Sequence, residues 1–361
     1  MFGMYLALAV LAICLYFKWK LSYWQRVGNI AGPKPLPIFG NLLEQFTGQK
    51  HFGEIFEEMY RSFPQASWVG FHKMANQPAI VVRDLDLVRD VLVSNFSSFN
   101  ENDFHVDETV DPLMAANPFA QSGEKWKERR AQMSMILTQN RIRPTFPLVQ
   151  EIANDFLRYI NATRKNDPHF EAKDLAVNPT IQDRVVDELR SVLKETEGTL
   201  TEPSLHKLVY MEAAMLETLR MHSSVFTLPR VCTKDFQLPP QFPNDTKQVT
   251  IRSGTSVVIP VHAIHYDPEI YPKPNVFDPE RFLEENRKTR HRCAFLGFGE
   301  GPRMCLGMKF AMHQTKIGIA TLLNNYRVTL SPKQELPLEF AKNTFLPQPK
   351  SGIWLNFEDR E

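Results

Sequence analysis

Residues 298–307 read FGEGPRMCLG, and this segment determines how the rest of the chain is interpreted. It is a glycine-rich loop that leads one cysteine, Cys305, to the start of an apolar stretch with helical character. Gly299 and Gly301 allow backbone conformations that other residues avoid. A helix N-terminus and the nearby cation of Arg303 both stabilise a thiolate. A lone cysteine is usually a buried apolar residue, but these surroundings favour a thiolate that is held for chemistry.

The composition is that of an ordinary globular protein of one or two domains. The 361 residues are 43% hydrophobic and 23% charged, with a net charge of +1. Because this charge is close to zero, no global field attracts nucleic acid, and none is expected as a partner. The chain has four cysteines, namely Cys14, Cys232, Cys293 and Cys305, and no C-x-x-C pair. A zinc site or a thioredoxin-like pair therefore has no support, and the pattern indicates reduced thiols in a cytosolic body.

Residues 1–17 are almost wholly apolar and predict an N-terminal membrane anchor, at the short end of the lengths that span a bilayer. The cations that follow this run place the body on the cytosolic side. A cleaved signal peptide is the competing interpretation, but it would need a basic residue before the apolar run and small residues at a cleavage site. Residues 18–41 are basic and proline-rich, and we expect them to form a stiff hinge or a linker.

Residues 42–361 are expected to form one domain that is mainly α with a smaller β region. The pattern of apolar residues predicts a hairpin over 67–83 and helices over about 84–93, 124–136, 147–159, 178–193, 205–222 and 306–325. Strands are predicted over 249–251, 255–260 and 352–357, with a strand-like stretch over 170–175. Asn178 is expected to cap the helix that Pro179 starts. His262 and His265 lack the companions of a metal site and are expected to be structural.

At this point the chain resembles the cytochrome P-450 family, which carries F-x-x-G-x-R-x-C-x-G around its haem ligand. The matching residues, in order, are Phe298, Gly301, Arg303, Cys305 and Gly307. Three further family motifs are present: W-x-x-x-R, E-x-x-R and P-E-R-F. The first motif contains Trp126 and Arg130, and the second contains Glu217 and Arg220. The third is residues 279–282, in which Arg281 is the arginine. The proline-rich stretch after the anchor resembles the microsomal members, and the style of the chain is closest to insect members.

The resemblance implies a site for haem b in which Cys305 is the axial thiolate ligand of the iron. It implies that Trp126, Arg130, Arg230 and Arg303 face the haem propionates, for which the planar fork of arginine is well suited. It also implies that Phe298, Gly301 and Gly307 shape the loop around the ligand. Glu217, Arg220 and Arg281 would form a buried structural network. From spacing alone, Glu217 and Arg220 would equally suit a surface helix pair.

The resemblance further implies a monooxygenase that inserts one oxygen atom from O₂ into a lipophilic small molecule. Electrons would come from an NADPH-dependent cytochrome P-450 reductase, with cytochrome b5 as a further partner, at the endoplasmic reticulum membrane. The basic residues Lys127, Arg129 and Lys309 are either part of a reductase-binding surface or a solvated face.

One part of the family pattern is absent from the sequence. The oxygen-side helix of the family carries an A-G-x-D/E-T-T-like signature that helps to deliver protons, and no such signature occurs here. The segments on the two sides of Leu175 resemble family segments that are normally separated by several helices. We therefore predict an internal deletion near Leu175 and a partial family fold that lacks several central helices, including the oxygen-side helix. Activity of this shortened chain is therefore in question. The alternative is a membrane-tethered haem-binding or reductase-binding protein without turnover.

Overall fold

A computed structural model describes residues 2–163, 173–342, 344 and 346–360. Helices predominate over strands in these residues, which confirms the prediction of a mainly α protein with a smaller β region. The helices are α1 Phe2–Leu21, α2 Tyr23–Gly28, α3 Leu43–Phe46, α4 Phe52–Ser62, α5 Leu85–Arg89, α6 Pro112–Ala115, α7 Gly123–Ile136, α8 Gln139–Ile142, α9 Phe146–Thr163, α10 Lys173–Val177, α11 Pro179–Glu195, α12 Val209–Met221, α13 Val261–His265, α14 Glu284–Lys288 and α15 Met308–Asn325. The strands are β1 Trp68–His72, β2 Pro78–Val82, β3 Leu228–Val231, β4 Phe236–Leu238, β5 Val249–Ile251, β6 Ser256–Ile259, β7 Tyr326–Leu330 and β8 Leu355–Asp359.

The N-terminal helix α1 is 20 residues long, apolar and without a buried residue, so its length and composition are those of a membrane-spanning helix. It continues past residue 17, the end of the predicted anchor, to Leu21. Helix α2 then turns onto the body. Trp24 is buried there, and its indole N–H donates a hydrogen bond of 2.8 Å to the Phe71 carbonyl. The first part of residues 18–41, which were expected to form a hinge or a linker, is therefore helical, and α2 packs on the body through Trp24.

The largest sheet has the strand order β1-β2-β6-β3. Strands β1 and β2 are antiparallel, which confirms the predicted hairpin, whereas β2 and β6 run parallel. Every residue of β1 and β6 is buried, because the sheet is covered on both faces. Two smaller ladders pair β4 with β5 and β7 with β8.

A second core lies among the helices. Helix α11 buries Val185, Val186 and Leu189 along one side, packs with α12 and α15, and shares one hydrophobic core with α9. The helix predicted over 205–222 is divided, because a 3₁₀ turn, Pro203–Lys207, precedes α12.

Two local predictions were wrong near residue 175. Asn178 does not cap α11 with its side chain, and its amide instead donates to the Asp174 carbonyl at 2.8 Å. Of the strand-like stretch predicted over 170–175, residues 170–172 lie outside the described residues. The remainder begins helix α10.

A buried ion pair anchors α12. Glu217 and Arg220 are both fully buried and meet through two hydrogen bonds, from Nε to Oε2 at 2.7 Å and from Nη2 to Oε1 at 2.9 Å. Arg220 also donates to the carbonyls of His265 and Pro274. Arg281 Nε lies 3.4 Å from Glu217 Oε1. The structure therefore brings the three predicted network residues together and uses them to fix the chain that follows α13.

This network continues toward residue 298 through His265, which is fully buried. Its Nε2 accepts a hydrogen bond of 2.9 Å from the Leu296 N–H, so its Nδ1 must donate to the Arg220 carbonyl, 3.0 Å away. Burial lowers the pKa of His265 to about 3, which keeps the ring neutral. The ring also stacks on Phe295 with 5.4 Å between centroids. A structural role for His265 agrees with this geometry.

The Glu217→Gln variant tests the weight of this network. It removes the anionic partner and leaves the Arg220 guanidinium uncompensated in the core, so we expect the free energy of unfolding to fall by about 3–5 kcal/mol. Urea denaturation followed by circular dichroism measures the change. The matched control is Glu195→Gln, since Glu195 pairs with Lys207 at 2.6 Å on the surface, and it should cost no more than about 1 kcal/mol. Equal losses in the two variants would contradict a structural role for the network.

Candidate functional site

The loop that carries Cys305 is shaped by two glycines. Gly299 and Gly301 have φ values of +71° and +76°, a region that side chains with a Cβ rarely adopt. At Gly301 a Cβ would also lie only 2.0 Å from the Leu92 carbonyl oxygen. The loop therefore passes against the π-helical turn Asp90–Ser94 at Leu92, and only glycine fits there.

Cys305 lies in the turn that precedes α15, three residues before its first residue Met308, rather than on the helix itself. Its N–H donates a hydrogen bond of 2.7 Å to the Phe298 carbonyl, which closes the loop on itself. The Cys305 side chain is exposed. A Cβ built on Gly307 would meet no heavy atom within 4 Å, so there is open space beside the cysteine.

Arg303 is held by backbone carbonyls rather than by carboxylates. Its Nε donates to Asn100 at 2.7 Å and its Nη2 to Gln121 at 2.9 Å. Its guanidinium also lies 4.2 Å from the centre of the Trp126 ring. Burial and, to a smaller extent, the cation of Arg130 lower the pKa of Arg303, while the charge of Glu101 raises it, and the result is a pKa of about 10.

Arg230, on β3, is the most deeply buried cation of the site, with 3% of its surface exposed. Its Nη1 donates to Asn102 Oδ1 at 2.9 Å and to its neighbour's carbonyl, while its buried Nε has no hydrogen-bond partner. Burial and the nearby Arg303 lower the pKa of Arg230 to about 9. No described carboxylate forms an ion pair with it.

Arg130 and Trp126 come from the same face of α7. Trp126 is buried and packs on Phe96 at 5.6 Å between ring centroids. Burial lowers the pKa of Arg130, and the charge of Cys305 raises it, which places the guanidinium within electrostatic range of the sulfur. In the described part of the chain, the Arg130 guanidinium has no hydrogen bond or ion pair.

These observations test whether the residues suit a haem. Three half-buried or buried guanidiniums, those of Arg130, Arg230 and Arg303, share one place and lack a carboxylate partner. A buried cation is costly unless it is paired, so the cluster is built for a ligand with more than one anionic group. A single exposed cysteine lies beside the cluster. The described residues contain no group of three or more His, Cys, Asp or Glu residues that would suit a metal ion on its own. The set fits a group that carries two carboxylates and an iron atom.

The sequence did not indicate every residue of this site. Asn102 is 5% exposed and orients Arg230, yet nothing in its sequence context distinguishes it from any other asparagine. Asn100 and Gln121 contribute only backbone carbonyls, which no residue type signals. Of the residues predicted to shape the loop, Phe298 is half-buried in a hydrophobic cluster that includes Leu216 and Met312.

Known proteins resemble this chain along nearly its whole length. Probable cytochrome P-450 308a1 of Drosophila melanogaster is 29% identical over 490 aligned positions, which cover 100% of this chain and 99% of the relative. Cytochrome P-450 6B1 of Papilio polyxenes is 24% identical over 492 positions, with 96% and 97% covered. Probable cytochrome P-450 28d1 of Drosophila melanogaster is 25% identical over 499 positions, with 99% of each covered.

The length of the first alignment is informative. It spans 490 positions and the chain has only 361 residues, so at least 129 positions have no counterpart here. The family model Cytochrome P-450 matches the chain in two pieces, residues 30–176 and 173–356, which meet near Leu175. Because these pieces together take in the tryptophan and arginine of α7, the α12 network and the Cys305 loop, this chain belongs to the cytochrome P-450 family.

Proposed function

We propose that Cys305 is the axial thiolate ligand of a haem b whose propionates lie against Arg130, Arg230, Arg303 and Trp126. The observation that carries this proposal is the cluster of guanidiniums without carboxylate partners beside a single exposed cysteine. When bound, a haem with a thiolate ligand supplies oxygen activation, because electron donation from sulfur favours cleavage of the O–O bond. Membership of the family makes haem-thiolate monooxygenation the general activity.

The protein residues on the cysteine side have separate tasks. The loop of residues 298–307 holds the Cys305 sulfur in one position through the hydrogen bond from its own N–H to Phe298. The α12 network fixes the start of that loop through His265 and Leu296. The arginines neutralise two carboxylates, and Arg303 is itself aligned by the Trp126 ring. The loop and the α12 network thus fix the position of the sulfur, and the arginines supply the compensating charge.

We also propose the surroundings of the reaction. Helix α1 anchors the chain in the endoplasmic reticulum membrane, with the body in the cytosol. An NADPH-dependent cytochrome P-450 reductase, assisted by cytochrome b5, supplies electrons, and the substrate is a lipophilic small molecule. The exposed Lys309 has no described ion-pair partner and is the best candidate contact for an acidic reductase. Lys127 is less suitable because it pairs with Glu124 at 2.5 Å.

We infer that the family's oxygen-side segment is missing from this chain. Three observations support the inference: the junction of the two matched pieces near Leu175, the alignment positions without a counterpart, and the lack of the A-G-x-D/E-T-T-like signature. The structure is consistent with it. On α9, Leu148 and Ile152 are 56% and 58% exposed, as expected if their usual partners are absent. At roughly 25 cal/mol per Å² such exposure is costly.

The consequence for activity is large. The A-G-x-D/E-T-T-like signature supplies the polar pair that helps to deliver protons on the oxygen side, and this sequence lacks it. A positioned proton donor contributes about 10²–10⁴-fold to a rate. This chain therefore binds haem but supports little coupled monooxygenation. The alternative function, a membrane-tethered haem-binding or reductase-binding protein without turnover, rests on the same gap.

Coupled turnover distinguishes a working enzyme from a binding protein. With reductase, NADPH and a panel of lipophilic substrates, we expect product to form at less than about one hundredth of the rate of NADPH consumption. Most electrons should appear as hydrogen peroxide. Mass spectrometry of products and a peroxide assay measure the two fluxes, with Cys305→Ser as the background. Product formation that matches NADPH consumption would overturn the inferred loss of the oxygen side.

Arg230→Met tests the propionate site without measuring turnover. In the haem-free protein the variant removes an unpaired buried cation, so the free energy of unfolding should rise by about 1–3 kcal/mol. In the haem-loaded protein, transfer of haem to apomyoglobin should become about 10- to 100-fold faster, as expected for the loss of a charge-assisted contact.

The control for this test is Arg252→Met, since Arg252 is an exposed partner of Asp235 and should change neither property. If Arg230→Met lost haem no faster than Arg252→Met, Arg230 would not face a propionate.

A further inference from the structure

A cavity of about 670 Å³ lies on another side of the Cys305 loop, between α12, α15 and the segment after α14. This volume is in the range of sites for small organic ligands. Part of its lining is apolar and includes Leu216, Phe282, Phe295, Met304, Met308 and Met312, of which Leu216 and Phe282 are buried. Methionine and aromatic side chains form adaptable apolar surfaces. This apolar part of the lining suits a hydrocarbon chain.

The mouth of the cavity is basic. Arg287, Arg290 and Lys309 line it, and none of the three has an ion-pair partner among the described residues. Arg290 is held in place by a hydrogen bond of 2.8 Å from its Nη2 to the Arg281 carbonyl and by the Tyr271 ring, 4.6 Å away. These cations are available to bind a ligand.

The two carboxylates that line the cavity are already neutralised. Glu212 Oε2 lies 2.6 Å from the buried ammonium of Lys316, and Glu300 Oε1 lies 2.7 Å from Arg292. The uncompensated charge at the mouth is thus positive. An anionic head group that entered the mouth would meet three cations and no free carboxylate.

We propose that this cavity binds a single-chain amphiphile with an anionic head, either a carboxylate or a phosphate. The chain lies among the methionine and phenylalanine side chains, and the head pairs with Arg287, Arg290 and Lys309. None of the cations assigned to the propionates lines this cavity, so the two anion sites are separate. The wall includes Phe298, Gly299 and Met304, so an occupant would lie directly against the loop that holds Cys305.

Equilibrium dialysis of radiolabelled decanoate tests the proposal. The full chain is placed in phosphatidylcholine nanodiscs, and empty nanodiscs give the background from the lipid. We expect saturable binding at one site per chain. Decyl phosphate should displace decanoate, and decanol should displace it about tenfold less well, because it lacks the charge. If decyl phosphate bound in its own dialysis but did not displace decanoate, the two anions would not share one site; if it did not bind at all, the head group that the site takes would be a carboxylate.

Variants locate the binding. Arg287→Gln combined with Lys309→Gln should weaken decanoate binding about tenfold. Lys288→Gln is the matched control for Arg287→Gln, because Lys288 is adjacent, exposed and paired with Glu284 at 2.6 Å, outside the cavity. It should leave binding unchanged. Met312→Trp and Met308→Trp fill the cavity and should abolish binding, with unchanged circular dichroism as the check that each variant is folded.

Four results would overturn the proposal. They are no saturable binding above empty nanodiscs, equal displacement by decanol, equal weakening by Lys288→Gln, and binding that persists in both folded tryptophan variants. The last result would place the bound amphiphile elsewhere in the chain.

Discussion

The buried ion pair between Glu217 and Arg220 is the constraint on which the rest of the site depends. Its energy comes less from attraction than from the cost of leaving either charge unpaired in the core. Through Arg220 the pair holds the backbone after α13. Through the Arg220 carbonyl it orients His265, whose other nitrogen accepts the Leu296 N–H. A single line of hydrogen bonds therefore runs from α12 to a point two residues before Phe298.

The opposite situation holds at the arginine cluster. Arg303 lowers the pKa of Arg230, Arg130 lowers the pKa of Arg303, and no described carboxylate forms an ion pair with any of the three. Backbone carbonyls and Asn102 orient these side chains but do not neutralise them. The fold thus accepts an electrostatic cost that only an anionic ligand removes, and the same property gives that ligand its affinity. We expect the stability of this protein to depend strongly on bound haem.

Much of this arrangement could be predicted from sequence. Two apolar runs that flank a polar segment predicted the β1–β2 hairpin, and the pattern after Pro179 predicted a helix where α11 lies. The spacing of Glu217 and Arg220 left open a surface pair, because burial depends on packing from distant segments. Asn178 has the residue type and position of a helix cap, but its side-chain amide donates a hydrogen bond to the Asp174 carbonyl instead. The proposed amphiphile cavity could not be predicted from the sequence, because its lining residues come from three separate segments and share no sequence pattern.

The central claim is that the cysteine side of the fold holds a thiolate-ligated haem although the oxygen-side segment is absent. The most direct test is a carbon monoxide difference spectrum of the reduced full chain in membranes, beside Cys305→Ser and, as a matched control, Cys14→Ser in the anchor. We predict the strongly red-shifted band of a thiolate-ligated ferrous carbonyl haem in the parent and in Cys14→Ser, and its loss in Cys305→Ser. Absence of the band from the parent, or its persistence in Cys305→Ser, would contradict the account.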